Sequence, residues 1–121
     1  MGASGRRERH VAVDETVEKA IRRFLSLLEG EFPVEGAYLF GSRARGSHSP
    51  DSDADVAVIL GGEPRRFLPV KLAMVDVAYD VLLDTGVDIS PLPVWRCEWN
   101  DPDGYPSPAL LRNIAGEGIR L

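Results

Sequence analysis

Two short pieces of sequence, Gly41-Ser42-Arg43-Ala44-Arg45-Gly46 and Ser52-Asp53-Ala54-Asp55-Val56-Ala57-Val58, decide the fold of this chain. The first piece follows the apolar segment Gly36–Phe40, which predicts a short buried strand. The second piece follows a turn-rich loop and opens a predicted strand, Asp53–Leu60. We therefore expect a strand, a glycine-led entry into a helix, a loop and a second strand.

Asp53 and Asp55 lie two positions apart on the second predicted strand, so their side chains should project from one face. Two carboxylates this close repel each other unless a cation lies between them. Mg²⁺ prefers such oxygen ligands. Because strand ends often carry aspartate, this pair alone is more typical of an ordinary polar strand end than of a metal site.

Asp88 lies between two apolar residues at the start of a third predicted strand, Val87–Val94. If that strand lies beside the second, its carboxylate joins Asp53 and Asp55, and three carboxylates on adjacent strands suit two divalent ions. Asp84 competes for this role, but its position at a helix end favours a surface or capping function. Pro91 and Pro93 lack N–H groups, so this strand should lie at a sheet edge or leave the sheet.

Gly41 and Ser42 suit a phosphate group. A glycine between a strand and a helix lets backbone amides approach phosphate closely, and Ser42 adds a hydroxyl donor. Arg43 and Arg45 add positive charge beside the predicted acidic cluster. Since Gly-Ser is also a common turn, it is the combination with the three aspartates that favours a binding site.

Three predicted helices complete the order α-β-loop-β-α-β-α, which indicates an α/β (α+β) fold with helices packed on a small mixed sheet. The first helix runs from about Glu15 to Glu29, the second from about Arg66 to Leu83, and the last follows Ser107-Pro108. The second helix has an apolar stripe at helical spacing, with Lys71, Asp76 and Asp80 off it: Leu68, Leu72, Val75, Tyr79 and Leu82. In the last helix, Leu110, Leu111 and Ile114 are expected to face the core.

Composition narrows the class of protein. With 121 residues, 44% of them hydrophobic, we expect a flexible lead-in at residues 1–13 and a single domain at 14–121. The net charge of −5 argues against extended nucleic-acid binding. No apolar run is long enough for a membrane span, and one cysteine fits a reducing, cytoplasmic setting.

A few single residues have more than one interpretation. The lone cysteine, Cys97, is expected to pack rather than to act as a nucleophile. Trp95 and Trp99 could stack a base, but core or partner-interface packing is favoured, and His48 is expected to be an exposed loop residue.

The two opening motifs, in this order and spacing, resemble the signature of the polymerase β-like nucleotidyltransferase superfamily, and most of all its minimal nucleotidyltransferases. The resemblance covers roughly residues 34–121 and implies the nucleotidyltransferase fold. It implies that Gly41 and Ser42 hold the nucleotide phosphates, that Asp53 and Asp55 bind metal, and that Asp88 completes the catalytic set.

The resemblance also implies a reaction, in which AMP is transferred from ATP to a hydroxyl group with two Mg²⁺ ions and pyrophosphate leaves. Because few residues follow the third strand, the acceptor is expected to be another protein. Small members of this family are commonly antitoxins of all-helical HEPN proteins with RNase activity, and some place AMP on a toxin tyrosine. The alternatives are a non-catalytic antitoxin that acts by contact, and a small-molecule nucleotidyltransferase that needs a partner chain in a homo- or hetero-oligomer.

Overall fold

The computed structural model describes residues 14–47 and 52–121, which build a four-stranded sheet with helices on both faces. The expected lead-in at residues 1–13 and His48 lie outside the described residues. Numbered over the described part, the strands are β1 (Val34–Phe40), β2 (Ala54–Leu60), β3 (Ile89–Trp95) and β4 (Ile119–Arg120). The helices are α1 (Glu15–Leu28), α2 (Ser42–Arg45), α3 (Phe67–Thr85), α4 (Arg96–Asn100) and α5 (Pro108–Glu117), with a 3₁₀ turn at Pro102–Gly104.

The sheet has the order β3-β2-β1-β4 and is mixed, as expected. β1 runs antiparallel to β2 and β4, whereas β3 runs parallel to β2 through the crossover helix α3. β3 lies at the sheet edge, which confirms the prediction from Pro91 and Pro93. β4 was not predicted, because two residues carry no readable periodicity.

The core lies on both faces of β2, since all of its residues except Asp55 are buried. Alternate residues such as Val56 and Val58 pack with α1 and α3 on one face. Ala57 and Ile59 pack on the other face with a second cluster that includes Leu111 and Ile114 of α5. The sheet thus separates an α1/α3 layer from an α5 layer. The candidate site lies on the α5 side of the sheet.

α3 does not use the predicted stripe to contact the sheet. Its buried residues are Val70, Met74, Ala78 and Val81, whereas Leu68, Leu72, Val75 and Tyr79 are exposed and Leu82 is half-buried. The helix is apolar around most of its circumference, so spacing alone selects neither face. The row that packs against the sheet contains the small Ala78, which allows the backbone of α3 to approach the sheet closely.

One further prediction, the packing role of Cys97, needs correction. Cys97 is exposed, so it does not have the expected packing role. Leu110 is half-buried and packs against the core cluster that includes Leu111 and Ile114, so it faces the core as predicted. Trp95 is buried in the larger core cluster, while Trp99 stacks on Tyr38 with ring centroids 4.8 Å apart, so both tryptophans pack against protein groups as favoured.

Candidate active site

Three strand ends meet at one end of the sheet and bring the motif residues together. β1 ends at Phe40, which pairs with Asp55 near the start of the antiparallel β2. β3 begins beside β2, with Ala54 paired to Ile89, and the Ala54 N–H donates to the Asp88 carbonyl at 2.8 Å. Asp53 and Asp88 therefore each lie one residue before their strand. The two positions are neighbours across the sheet.

The alternation of side chains along β2 decides the face on which Asp55 lies. Ala54, Val56 and Ile89 are buried in the cluster that packs against α1 and α3. Asp55 alternates with them and shares its face with Ala57 and Ile59, on the side covered by α5. Asp53 and Asp88 lie one residue before these strands, and burial together with the nearby charge of Asp53 raises the pKa of both Asp55 and Asp88.

Gly41 lies directly against the carboxylate of Asp55. A Cβ on Gly41 would be 2.5 Å from Asp55 Oδ2, and the backbone φ of +76° is one that side-chain-bearing residues rarely adopt. The positive φ favours glycine here, and a larger residue would also displace the carboxylate of Asp55. This contact joins the phosphate-type motif to the acidic motif in one site.

The carboxyl group of Asp55 is disfavoured in its charged form. Burial raises its pKa, the negative charge of Asp53 raises it further, and the positive charge of Arg45 opposes both effects. Arg45 also lies 3.8 Å from Glu117 of α5, in an exposed ion pair. Of the two arginines predicted for the site, Arg45 is thus the one whose charge acts on the carboxylate cluster.

Asp53 interacts with Asp88 as well as with Asp55. Burial, the charge of Asp53 and a side-chain hydrogen bond with Asp53 raise the pKa of Asp88. The neighbouring carboxylates of Asp53 and Asp88 therefore concentrate negative charge at this end of the sheet, which a bound cation would neutralise.

The donor chemistry of this cluster fits Mg²⁺, since all three side chains offer only carboxylate oxygens. Over residues 14–47 and 52–121, however, no three acidic, histidine or cysteine side chains stand close enough together to hold a metal ion as they are placed. The aspartates are linked pairwise through Asp53, which is exposed. Metal binding would have to draw the other two carboxylates toward a shared point.

The loop from Gly41 to Gly46 is held by backbone geometry and by Arg43. Gly46 ends the four-residue α2 in the left-handed conformation, with φ of +77°. The Arg43 Nε donates to the carbonyl of Ser52 at 3.0 Å, across the segment that joins α2 to β2. Arg43 was predicted to bind the nucleotide, and this bond also gives it a role in fixing the loop next to the aspartates.

A cavity of about 240 Å³ opens beside Gly41, and sequence reasoning missed most of its lining. Its walls come from the end of β1, the motif and α5: Phe40, Gly41, Arg45, Leu110, Asn113, Ile114 and Glu117. The α5 residues follow the i, i+3, i+4, i+7 spacing of one helix face, but the spacing does not show that this face lies beside Gly41. The functional candidates added by the structure are Asn113 and Glu117.

Comparison with known families gives a match that contains every site residue predicted from the sequence. The model of the family described as nucleotidyltransferase domain matches residues 18–96, from α1 to the start of α4. This range covers about two thirds of the chain and includes Gly41, Ser42 and the three aspartates. A search among curated proteins found no match.

Solved structures with similar folds include two with informative descriptions. One is a mutant of the toxin–antitoxin MntA-HpeT, with 19% identity and a TM-score of 0.55, covering 84% of this chain and 70% of that chain. Another is an inferred nucleotidyltransferase from Sulfolobus solfataricus, with 22% identity and a TM-score of 0.47, covering 73% of this chain and 80% of that chain. At 19% identity, the first likeness shows the fold.

Proposed function

This chain belongs to the nucleotidyltransferase domain family, and we propose on that premise that it transfers AMP from ATP to a hydroxyl group. The observation that carries the proposal is the contact of Gly41 with Asp55, because it joins a phosphate-type loop to a carboxylate cluster. Asp53 and Asp88 lie at the same end of the sheet. Nucleotidyl transfer needs both parts within one site.

In this proposal, the motif after β1 holds the triphosphate. The Ser42 hydroxyl and the backbone N–H groups that follow Gly41 donate hydrogen bonds to phosphate oxygens. Arg45 adds a positive charge from α2, and its ion pair with Glu117 is exposed enough to exchange for a phosphate. The phosphates are thereby fixed beside Asp55.

Asp53, Asp55 and Asp88 are the proposed ligands of Mg²⁺, with two ions expected for this chemistry. When bound, Mg²⁺ neutralises the charge of the phosphates and stabilises the departing pyrophosphate. The acceptor oxygen forms a bond to the α-phosphorus while the bond from that phosphorus to the bridging oxygen breaks. Asp88 is the proposed acceptor of the proton of the acceptor hydroxyl, because it is a carboxylate at the same end of the sheet as Asp53 and Asp55.

The cavity beside Gly41 is the proposed place for the nucleoside part of the donor. Its volume of about 240 Å³ is below the ~300–1,000 Å³ of complete ligand sites, which suits one part of a nucleotide. Phe40, Leu110 and Ile114 give it apolar walls, and the Asn113 amide can both donate to and accept from a base edge.

The proposed acceptor is a hydroxyl group on a helical, HEPN-type toxin, which would make this chain an antitoxin. The similarity of its fold to a protein described as a toxin–antitoxin supports this choice.

The direct experiment incubates the purified protein with ATP, Mg²⁺ and the product of the neighbouring gene, followed by intact-mass spectrometry. We expect the partner to gain the mass of one AMP, and we expect Asp53→Asn to abolish the gain. GTP, CTP and UTP in place of ATP test the base preference. No added mass with any of the four nucleotides would refute the transfer reaction.

A contact-only antitoxin is the second candidate, and one observation favours it. Among the described residues, no three potential metal ligands lie close enough together to hold an ion as they are placed. Neutralisation of the toxin in cells separates the candidates. Asp53→Asn should lose neutralisation if transfer is required and should retain it if contact is sufficient.

A further inference from the structure

The outer side of α3 exposes a continuous apolar row, which we call the outer stripe: Leu68 (60% exposed), Leu72 (55%), Val75 (39%), Tyr79 (57%) and Leu83 (69%). These residues recur every three or four positions and span 15 residue steps, or about 22 Å of helix. The sheet-facing side of α3 already has its own buried row. The outer stripe therefore does not contribute to the core of this chain, and apolar patches of this kind usually mark an interaction site.

We propose that the outer stripe docks an amphipathic helix of the acceptor protein, a helix whose apolar row is flanked by lysine or arginine. This inference rests on the proposed function, because it assigns the helical acceptor to a surface. The acidic side of the stripe decides the charge of the partner. Asp76 and Asp80 are exposed beside the stripe, and Asp84 continues the same side to the helix end, where it pairs with Arg23 at 2.9 Å.

A second copy of this chain fits the outer stripe poorly. When two copies of α3 pair antiparallel about a two-fold axis, the same flank of each helix comes to the same side, so Asp76 and Asp80 would face their own copies. A parallel pairing offers only Lys71 of each helix against the three aspartates of the other. The net charge of −5 adds to the repulsion. A basic helix from another protein would meet neither the repulsion between aspartates nor the repulsion between two negatively charged copies.

The residues that precede α1 also fit poorly. Residues 1–13 include arginines, but their large apolar side chains are Met1, Val11 and Val13. Three such side chains cannot cover five that extend over about 22 Å. The apolar part of the stripe therefore calls for a partner with a full helical row.

The position of α3 makes docking compatible with catalysis. Its buried face packs against the sheet on the side opposite the carboxylates. Its C-terminal end, Thr85, is only three residues from Asp88, so the outer stripe runs toward the end of the sheet that bears the candidate site. A partner seated there leaves the site open and reaches toward it.

The test measures binding of the purified neighbouring-gene product to the wild-type protein and to Leu72→Glu/Leu83→Glu. The matched control is Leu27→Glu, because Leu27 is also an exposed leucine (42%) but lies on α1. We expect the double variant to weaken binding by at least about 100-fold and the control to change it little. MgATP binding and the melting temperature should stay unchanged in both, which shows that the site and the fold are intact.

Two further arms test the charge and the occupant. Asp76→Lys/Asp80→Lys should weaken binding about 10-fold and reverse its salt dependence. Wild-type binding that equals that of the double variant, or no binding at all, would overturn the proposal. So would a wild-type homodimer in sedimentation equilibrium that Leu72→Glu/Leu83→Glu dissociates.

The outcomes also separate this inference from the proposed function. Asp53→Asn should bind the partner as the wild type does while transferring no AMP. If the wild type binds through the outer stripe but adds no mass to its partner, the docking surface stands and the transfer reaction fails. If AMP transfer proceeds equally in the outer-stripe variant, the reaction stands and the docking surface fails.

Discussion

The central strand β2 has two parts with opposite character. From Val56 to Leu60, every residue is buried, and the side chains on the two faces of the strand belong to two separate apolar clusters. At the start of the strand, burial raises the pKa of both Asp55 and Asp88, and the negative charge of Asp53 raises both further. Such unfavourable placement at a strand end marks a region arranged for binding rather than for stability.

The largest effect should come from removing the charge of Asp55. Asp55→Asn keeps the size of the side chain but removes a proposed Mg²⁺ ligand at the centre of the site. We expect transfer to fall by on the order of 10⁴-fold while the fold persists. Single-turnover assays with excess Mg²⁺ and ATP measure the loss.

The control for this loss is Asp103→Asn, since Asp103 lies on the surface in an ion pair with Arg112. Full activity of Asp103→Asn together with loss in Asp55→Asn would sharpen the contrast between the two parts of β2. Comparable activity in the two variants would remove Asp55 from the proposed mechanism.

The buried part of β2 should show the opposite pattern. Ile59→Ala removes three carbons from a residue that is 1% exposed and packs against α5. We expect it to reduce the free energy of unfolding by about 2–5 kcal/mol. Urea unfolding measures this loss, and MgATP affinity of the folded fraction should change little. A large loss of affinity in a protein of unchanged stability would contradict the division of β2 proposed here.

Much of the sheet could be predicted from residue type. The apolar run through β2 predicted a strand, and the paired prolines of β3 predicted either an edge strand or a strand that leaves the sheet, of which the structure shows the edge strand. α3 is different, because it has two apolar rows and only the packed sheet selects between Leu72 and Met74 as the buried residue. β4 depends on pairing with β1 and leaves no pattern of its own.

The candidate site could be predicted only in part, because the sequence does not show which strands are neighbours in the sheet. Asp53 and Asp55 share a face by alternation, but Asp88 joins them only if β3 is the neighbour of β2, which the sequence left as a condition. The contribution of Asn113 and Glu117 depends on how α5 packs back onto β1. That packing is set by tertiary contacts, so the motif alone could not identify these residues.

Gly41 and Gly46 provide a sharper comparison within the motif itself. Both glycines have a positive φ, +76° and +77°, but a Cβ would meet Asp55 Oδ2 only at Gly41, whereas at Gly46 nothing lies within 4 Å. Gly46→Ala should cost about 1–2 kcal/mol of stability from backbone strain alone. Gly41→Ala should cost more, and it should also weaken MgATP binding because the Asp55 carboxylate is displaced.

Thermal unfolding and MgATP titration of the two glycine variants test this difference. Equal losses of stability and equal affinities in Gly41→Ala and Gly46→Ala would show that the contact with Asp55 has no functional consequence. A selective loss of affinity in Gly41→Ala would tie the phosphate-type loop to the carboxylate cluster.

The smallest expected effect concerns the stability of the metal-free protein. Burial and the charge of Asp53 raise the pKa of Asp55 in the folded state above its value in the unfolded chain. A carboxyl group with a raised pKa favours the folded state when it is protonated, so its contribution is present at low pH and is lost as the pH rises through the folded pKa. Asp55→Asn should therefore raise the melting temperature of the metal-free protein slightly at pH 7, and the gain should shrink as the pH falls.

Scanning calorimetry in EDTA from pH 7 to pH 4 measures the difference between variant and wild type. A lower melting temperature for Asp55→Asn at pH 7 would mean that the carboxylate stabilises the fold, and the contrast between the two parts of β2 would then be wrong.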